Sequence, residues 1–226
     1  MTFKKTAFTA IATLLCLLSH AQSKNALWVE YYPDINIGRW TVSPEIAYRS
    51  NDFNGTNVLY FRPAATYTIN SYMAAAVSAA YFATWRDHTV RSHEIVTYQQ
   101  MAFTMPTFAR FTAGLNVRFE ELFIKSDVAQ DDFLFTLRLR LQPKVTYSLP
   151  FWEKKKLSVS VFAETFNHLA SSKKNRFTNS VDWGGSFNFA PAPRLTMSLE
   201  YRYNEAYTHP DVFSNRFRIV VRHRIL

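Results

Sequence analysis

Cysteine is almost missing from this chain, and the one example, Cys16, lies inside a leader-like N-terminal stretch. The rest has no thiol, which excludes disulfide staples, thiolate nucleophiles and cysteine zinc sites. Glycine is scarce as well: five in 226 residues, with no glycine-rich loop to cradle a phosphate. Past the leader, no apolar run reaches the roughly 20 residues that a membrane helix requires. Acidic residues are outnumbered, 17 Asp and Glu against 26 Lys and Arg, for a formal charge of +9. Such a surplus suits phosphate-bearing partners. In an exported chain with arginines on strand faces, phosphate-bearing lipid or internal acidic partners are favoured over nucleic acid.

The export signal comes first. Lys4 and Lys5 form a basic region, Ala7 to Leu18 an apolar one, and Ser19-His20-Ala21 a small-residue cleavage site. Residues 1–21 are therefore expected to be a secretory signal peptide and 22–226 the mature domain. Cys16 does not read as a lipidation site, because Leu15 before it is bulkier than such a site accepts. Cleavage leaves 24 basic against 17 acidic residues, a net charge of +7.

The dominant pattern after the leader is alternation. From Phe133 to Val145 the chain reads FLFTLRLRLQPKV. One face holds Phe133, Phe135, Leu137, Leu139 and Leu141; the other holds Thr136, Arg138, Arg140, Gln142 and Lys144. Side chains on a strand point alternately to opposite faces, so this is a long strand with one apolar and one cationic surface. Comparable segments span 39–49, 57–69, 73–86, 93–104, 108–123, 131–148, 156–167, 176–189, 194–205 and 214–226. The alanine-rich stretch Tyr72 to Trp85 is the weakest of them, since propensity favours a helix and position between clear strands favours a strand.

Connections such as Asn70-Ser71, Met105-Pro106 and Ala190 to Pro193 read as tight turns. Asp87 to Ser92, Ile124 to Gln130, Asn167 to Asn175 and Ala206 to Phe213 read as longer loops. Short turns at one end and longer loops at the other are the habit of outer-membrane barrels. The expected fold is all-β: a transmembrane, antiparallel, up-and-down β-barrel of about ten strands, with twelve as the alternative. A segment around Trp28 would make eleven, and it is left to the lumen, the periplasmic mouth or an unseen partner strand.

Alternation alone does not say which face meets water, and a soluble periplasmic ligand-binding barrel would put the apolar face inside. The membrane reading rests on too many large apolar faces for one small core. Aromatics also fall at strand ends (Trp40, Tyr48, Trp85, Tyr147, Trp152, Tyr201, Tyr203), where interfacial girdles belong. The chain ends in a strand, with Phe217, Ile219, Val221 and Ile225 opposing Arg216, Arg218, Arg222 and Arg224. Leu226 stands in place of an aromatic, and His223 falls on the apolar side. Such an end suits edge pairing with the barrel-assembly machinery.

Several short pieces carry a family resemblance: Trp28 near the mature start, Tyr48-Arg49, Arg62-Pro63 followed by Tyr67, Ala80-Tyr81-Phe82, Arg118-Phe119-Glu120 and Arg138-Leu139-Arg140. His93-Glu94 through Tyr98-Gln99-Gln100 belongs with them. Together they resemble an uncharacterised family of small outer-membrane barrels of Gram-negative bacteria, the domain of unknown function 2490. The resemblance implies a location in the cell outer membrane and brings no catalytic residue and no cofactor.

The candidate functional residues are the expected lumen charges. Arg39, Arg49, Arg62, Arg118, Arg138, Arg140, Lys144 and Arg202 face Glu45, Glu94, Glu120, Glu164 and Glu200. A paired network filling a narrow lumen is favoured over a selective path for small anions, because unpaired charges away from water are costly and wide pores need many more strands. Asp87, His88, His93 and Glu94 form the only cluster resembling an acid–base or metal site, and their spacing fits no ligand motif. Lys173, Lys174 and Arg176 suit contact with lipopolysaccharide phosphates. The leading reading is a non-enzymatic barrel, structural, adhesive or a narrow conduit. A barrel enzyme acting on lipid or peptide at the outer rim is the alternative.

Overall fold

The structure, a computed structural model, describes residues 24–51, 55–126, 134–150, 156–171, 178–206 and 213–225. Eleven strands account for nearly all of them: β1 (Lys24–Ile37), β2 (Trp40–Asn51), β3 (Thr56–Asn70), β4 (Met73–Arg86), β5 (Thr89–Thr104), β6 (Phe111–Ser126), β7 (Leu134–Ser148), β8 (Ser158–Ser171), β9 (Thr178–Ala192), β10 (Leu195–Ala206) and β11 (Phe213–Arg224). Each strand pairs with the next, and β1 pairs with β11 to close a barrel.

The count is one above ten, and the extra strand is the Trp28 segment. It pairs antiparallel with β2, from Ala26↔Asn51 to Ile37↔Trp40. It pairs in parallel with β11, from Lys24↔Ser214 to Asp34↔Arg224. Strand direction alternates around an up-and-down barrel, so an odd total leaves the first and last strands pointing the same way. This departs from the even counts usual in bacterial barrels. One consequence is that Lys24 lies at one rim and Arg224 at the other.

The alanine-rich segment is strand β4, with both edges engaged. Ala75 faces Tyr67 on β3 and Met101 on β5. In a wall that must satisfy its own backbone groups without water, tertiary pairing outweighs the helix propensity of alanine. Two connections differ from their expected lengths. Asp87 and His88 form a two-residue turn with φ of 51° and 62°, the left-handed pair of a tight hairpin turn, so β5 starts at Thr89 rather than after a longer loop. Conversely, the link at Met105-Pro106 runs to Arg110 before β6 begins. Pro106 has no backbone N–H to close a short turn, and an isolated bridge joins Phe108 to Phe111 instead.

The polarity is inverted relative to a soluble barrel. Val161 is 64% exposed, Val77 56% and Ile46 51%, all on the outer wall, whereas Glu30, Glu45, Glu120 and Asp182 are exposed by no more than 2%. Arg138 and Arg140 find their partners inside, which turns Leu137, Leu139 and Leu141 outward. Aromatic pairs gather toward the strand ends: Trp40 with Tyr67 at 4.9 Å between centroids, Tyr48 with Trp85 at 6.4 Å and Phe111 with Tyr147 at 4.7 Å. His223, on the apolar side, meets the Tyr31 hydroxyl at 3.2 Å. Inside, Gly184 lies where a Cβ would meet the Phe162 ring and come within 2.5 Å of the Tyr201 carbonyl oxygen. Only glycine lets that ring cross the wall.

The leader (1–21), Phe133, Trp152, the Lys173-Lys174-Arg176 cluster and Leu226 lie outside the described residues.

Candidate functional site in the barrel lumen

The candidate site is a belt of ion pairs at mid-height, built by short inward-facing repeats. Arg118 and Glu120 on β6, Arg138 and Arg140 on β7, Glu200 and Arg202 on β10, and Arg216 and Arg218 on β11 are each two residues apart, hence on one face. Register then sets them side by side: Glu120↔Arg138 and Arg118↔Arg140, Glu200↔Arg218 and Arg202↔Arg216, Glu45↔Arg62.

Glu120 is the hub of one sector. It accepts from Arg138 Nε at 2.7 Å and from Arg140 Nη1 at 2.8 Å, with Arg118 at 3.5 Å. Arg140 reaches on to Glu164 at 2.6 Å, and Arg202 joins Glu164 at 2.5 Å. Glu164 and Asp182 are cross-strand neighbours of like charge, an arrangement that repels unless a cation lies between. Arg202 supplies it, 3.4 Å from Asp182, and Arg216 adds a second contact at 3.2 Å.

The sector across the β1–β11 seam is built on Glu30. It pairs with Arg218 at 2.5 Å and accepts from the hydroxyls of Tyr32 at 2.9 Å and Tyr60 at 3.1 Å. Arg218 also binds Glu200, which holds Arg202, so the two sectors join. Glu45 lies closer to the same Tyr60 hydroxyl, so the two carboxylates share its one proton, and Arg62 Nε meets Glu45 at 2.5 Å. Tyr98 completes the circuit, its ring centroid 4.4 Å from the Arg118 guanidinium and 5.8 Å from that of Arg62.

The belt thus sets eight arginines (49, 62, 118, 138, 140, 202, 216, 218) against six carboxylates (30, 45, 120, 164, 182, 200). Removing one partner from such a buried pair costs about 3–5 kcal/mol, because a charge is left without compensation.

On the long-connection side of the belt lies a cavity of about 560 Å³. Its lining reaches down to Arg62, Glu120, Arg140 and Arg202 and stops there. Beyond the belt the inward residues are mainly amides and hydroxyls bonded to one another, as Asn116 to Gln142 at 3.0 Å and Ser198 to Asn188 at 2.6 Å.

Ten of the residues expected in the lumen meet in the belt: Glu45, Arg49, Arg62, Arg118, Glu120, Arg138, Arg140, Glu164, Glu200 and Arg202. Three do not. Arg39 occupies the exposed Gly38-Arg39 turn between β1 and β2, one residue short of the strand. Lys144 faces inward below the belt, and Glu94 faces inward above it as part of the cavity lining. Neither is ion-paired among the described residues. Belt members outside the expected lumen set are Glu30, Tyr60, Asp182, Arg216 and Arg218, the last two read from sequence only as the polar face of the terminal strand. Period-two counting would have found Asp182, two residues from Ser180 and Gly184 on the inward face of β9.

The histidine cluster disperses. His93 points outward against Tyr81, ring nitrogen to hydroxyl at 2.5 Å, while Glu94 points inward and His88 sits in the turn. Alternate faces cannot converge on one ligand. His168, expected in a loop, stands on β8 opposite Arg138.

The family model for DUF2490, a protein of unknown function, matches residues 25–224. The chain belongs to this family. No curated protein matches the sequence. Among solved structures, the NanC porin in a rhombohedral crystal form superposes with a TM-score of 0.54 at 10% identity, covering 88% of this chain and 99% of that one. At that identity the likeness is one of fold: this DUF2490 chain is a porin-like barrel.

Proposed function

We propose that this DUF2490 barrel resides in the outer membrane as a non-enzymatic, narrow conduit for small solutes, with the arginine–carboxylate belt as its constriction. One observation carries the reading: paired charges span the lumen at the level where the cavity ends. Barrels of about eight strands are filled by side chains and those of 16–18 hold aqueous channels. Eleven strands lie near the filled limit, so any passage is small. The excess of arginine in the belt favours anions over cations. An apolar outer wall and the leader-like N-terminus support the outer-membrane location. The long connections then face outward, where loop cations suit lipopolysaccharide phosphates, and β11 is the strand offered to the assembly machinery.

Planar-bilayer recording tests this. Folded protein should give small, discrete, anion-preferring steps, and Glu120→Gln combined with Arg140→Gln should enlarge them. A silent bilayer with both proteins would reject the conduit.

A further inference from the structure

Polar and apolar side chains are segregated in the cavity above the belt. On the β3–β5 wall, Val58, Ala80, Phe82 and Val96 line it. Ala80 and Val96 are buried with Leu122, and Phe82 packs against the cluster. The same strands are also apolar on their outer face at this height, with Leu59, Tyr81 and Ile95 about half exposed. Lipid explains the outer face only. Val58, Ala80 and Val96 are almost sealed from the lumen. The part-exposed Phe82 ring is therefore the apolar surface left to water, at a free-energy cost that a purely polar solute does not recover. It has a use when the visitor brings apolar surface of its own.

Two arginines of the belt, Arg49 and Arg216, line the same cavity. Arg49 meets its carboxylate, Glu30, only at 3.8 Å, and its buried Nε has no hydrogen-bond partner. Its guanidinium lies 4.0 Å from the Trp28 ring centroid and 5.8 Å from that of Phe82. Arg216 packs on the same indole at 5.2 Å. Its Nη1 and Nε are held by Asp182 and Ser214, and its Nη2 donates to no acceptor among the described residues. Arg49 Nη2 donates to the Tyr60 hydroxyl at 3.0 Å. The free Nη2 of Arg216 and the weakly paired charge of Arg49 lie across from the Phe82 ring and give the pocket one charged side and one apolar side. Its 560 Å³ falls inside the usual range for small-molecule sites, roughly 300–1,000 Å³.

We propose that this vestibule binds a small amphipathic monoanion, its acidic head against Arg49 and Arg216 and its aromatic or aliphatic body on the Phe82 ring. Glu94, two residues before Val96 on the inward face of β5, sets the charge limit. A second negative group on the ligand would face this carboxylate, which has no ion-pair partner among the described residues. Binding here does not require passage through the belt, so the inference and the conduit reading stand or fall separately.

Titration calorimetry on the folded full barrel in detergent micelles tests it, with 2-naphthoate as probe. Empty micelles give the baseline. Three comparison compounds are the uncharged 2-naphthamide, the ringless acetate and the doubly charged naphthalene-2,6-dicarboxylate. Saturable binding of one 2-naphthoate per barrel is expected, with each comparison compound weaker by about tenfold or more. Arg216→Gln and Phe82→Gln should each weaken 2-naphthoate by about tenfold, and Glu94→Gln should narrow the gap between mono- and dianion. If Phe82→Gln does not fold, Phe82→Leu, which stays apolar and removes the ring, takes its place. Heat indistinguishable from empty micelles would overturn the proposal. So would equal affinity for naphthoate and naphthamide, or folded variants that bind as tightly as the parent.

Discussion

At the scale of single residues, the lumen contains carboxylates that carry more than one cation each. Glu120 holds Arg138 and Arg140, with Arg118 close by, while being 2% exposed. Glu120→Gln keeps the shape and removes the charge, leaving three guanidinium groups to repel one another. Breaking a buried pair in this way costs about 3–5 kcal/mol, and the loss should appear as a lower denaturant midpoint for the barrel refolded in vesicles. Adding Arg138→Gln to that variant should restore part of the stability, because one uncompensated cation is gone; a double-mutant cycle measures the coupling directly. Additive losses would show that the contact contributes nothing. Much of this was legible from residue type: Arg-x-Glu and Arg-x-Arg in alternating strands announce an inward charged face. Arg39 was not, because a residue beside Gly38 can begin a strand or finish a turn, and only closure of the hairpin decides which.

At the scale of elements, β1 is the unusual strand. It closes the barrel against β11 in parallel, a pairing slightly weaker per residue than an antiparallel one. Side chains reinforce it: Glu30 to Arg218 at 2.5 Å, Asp34 to Arg222 at 3.3 Å and Asn215 Nδ2 to Asn25 Oδ1 at 3.1 Å. Glu30→Gln should therefore loosen the seam locally before the barrel unfolds. In hydrogen–deuterium exchange, amides of β1 and β11 should exchange faster by at least about tenfold, which is 1.4 kcal/mol of opening free energy. Strands β4 to β7 should be unchanged. Uniform acceleration around the wall would argue against a distinct seam. The strand itself was hard to read because Trp28-Val29-Glu30-Tyr31-Tyr32 hides one carboxylate among aromatics, and the odd count argued against pairing it.

At the scale of the whole molecule, polarity decides the environment. The ridge Leu137–Leu139–Leu141 faces outward at the height where Arg138 and Arg140 face in. An arginine placed on the lipid side near the bilayer midplane costs about 2–4 kcal/mol. Leu139→Arg should lower folding stability in vesicles by that amount, whereas Gln142→Arg, on the inward face of the same strand, should change it far less. Equal effects of the two substitutions would contradict a lipid-facing outer wall.

By itself the sequence determined ten of the strands, their two faces and the segregation of charge from hydrocarbon, since a period of two is a local property of extended chain. It could not decide how the faces meet. Register, tilt and closure are settled between strands distant in sequence. They alone brought Glu30 to Arg218, set Arg202 between Glu164 and Asp182, and turned Phe82 and Val96 toward a cavity flanked by arginines.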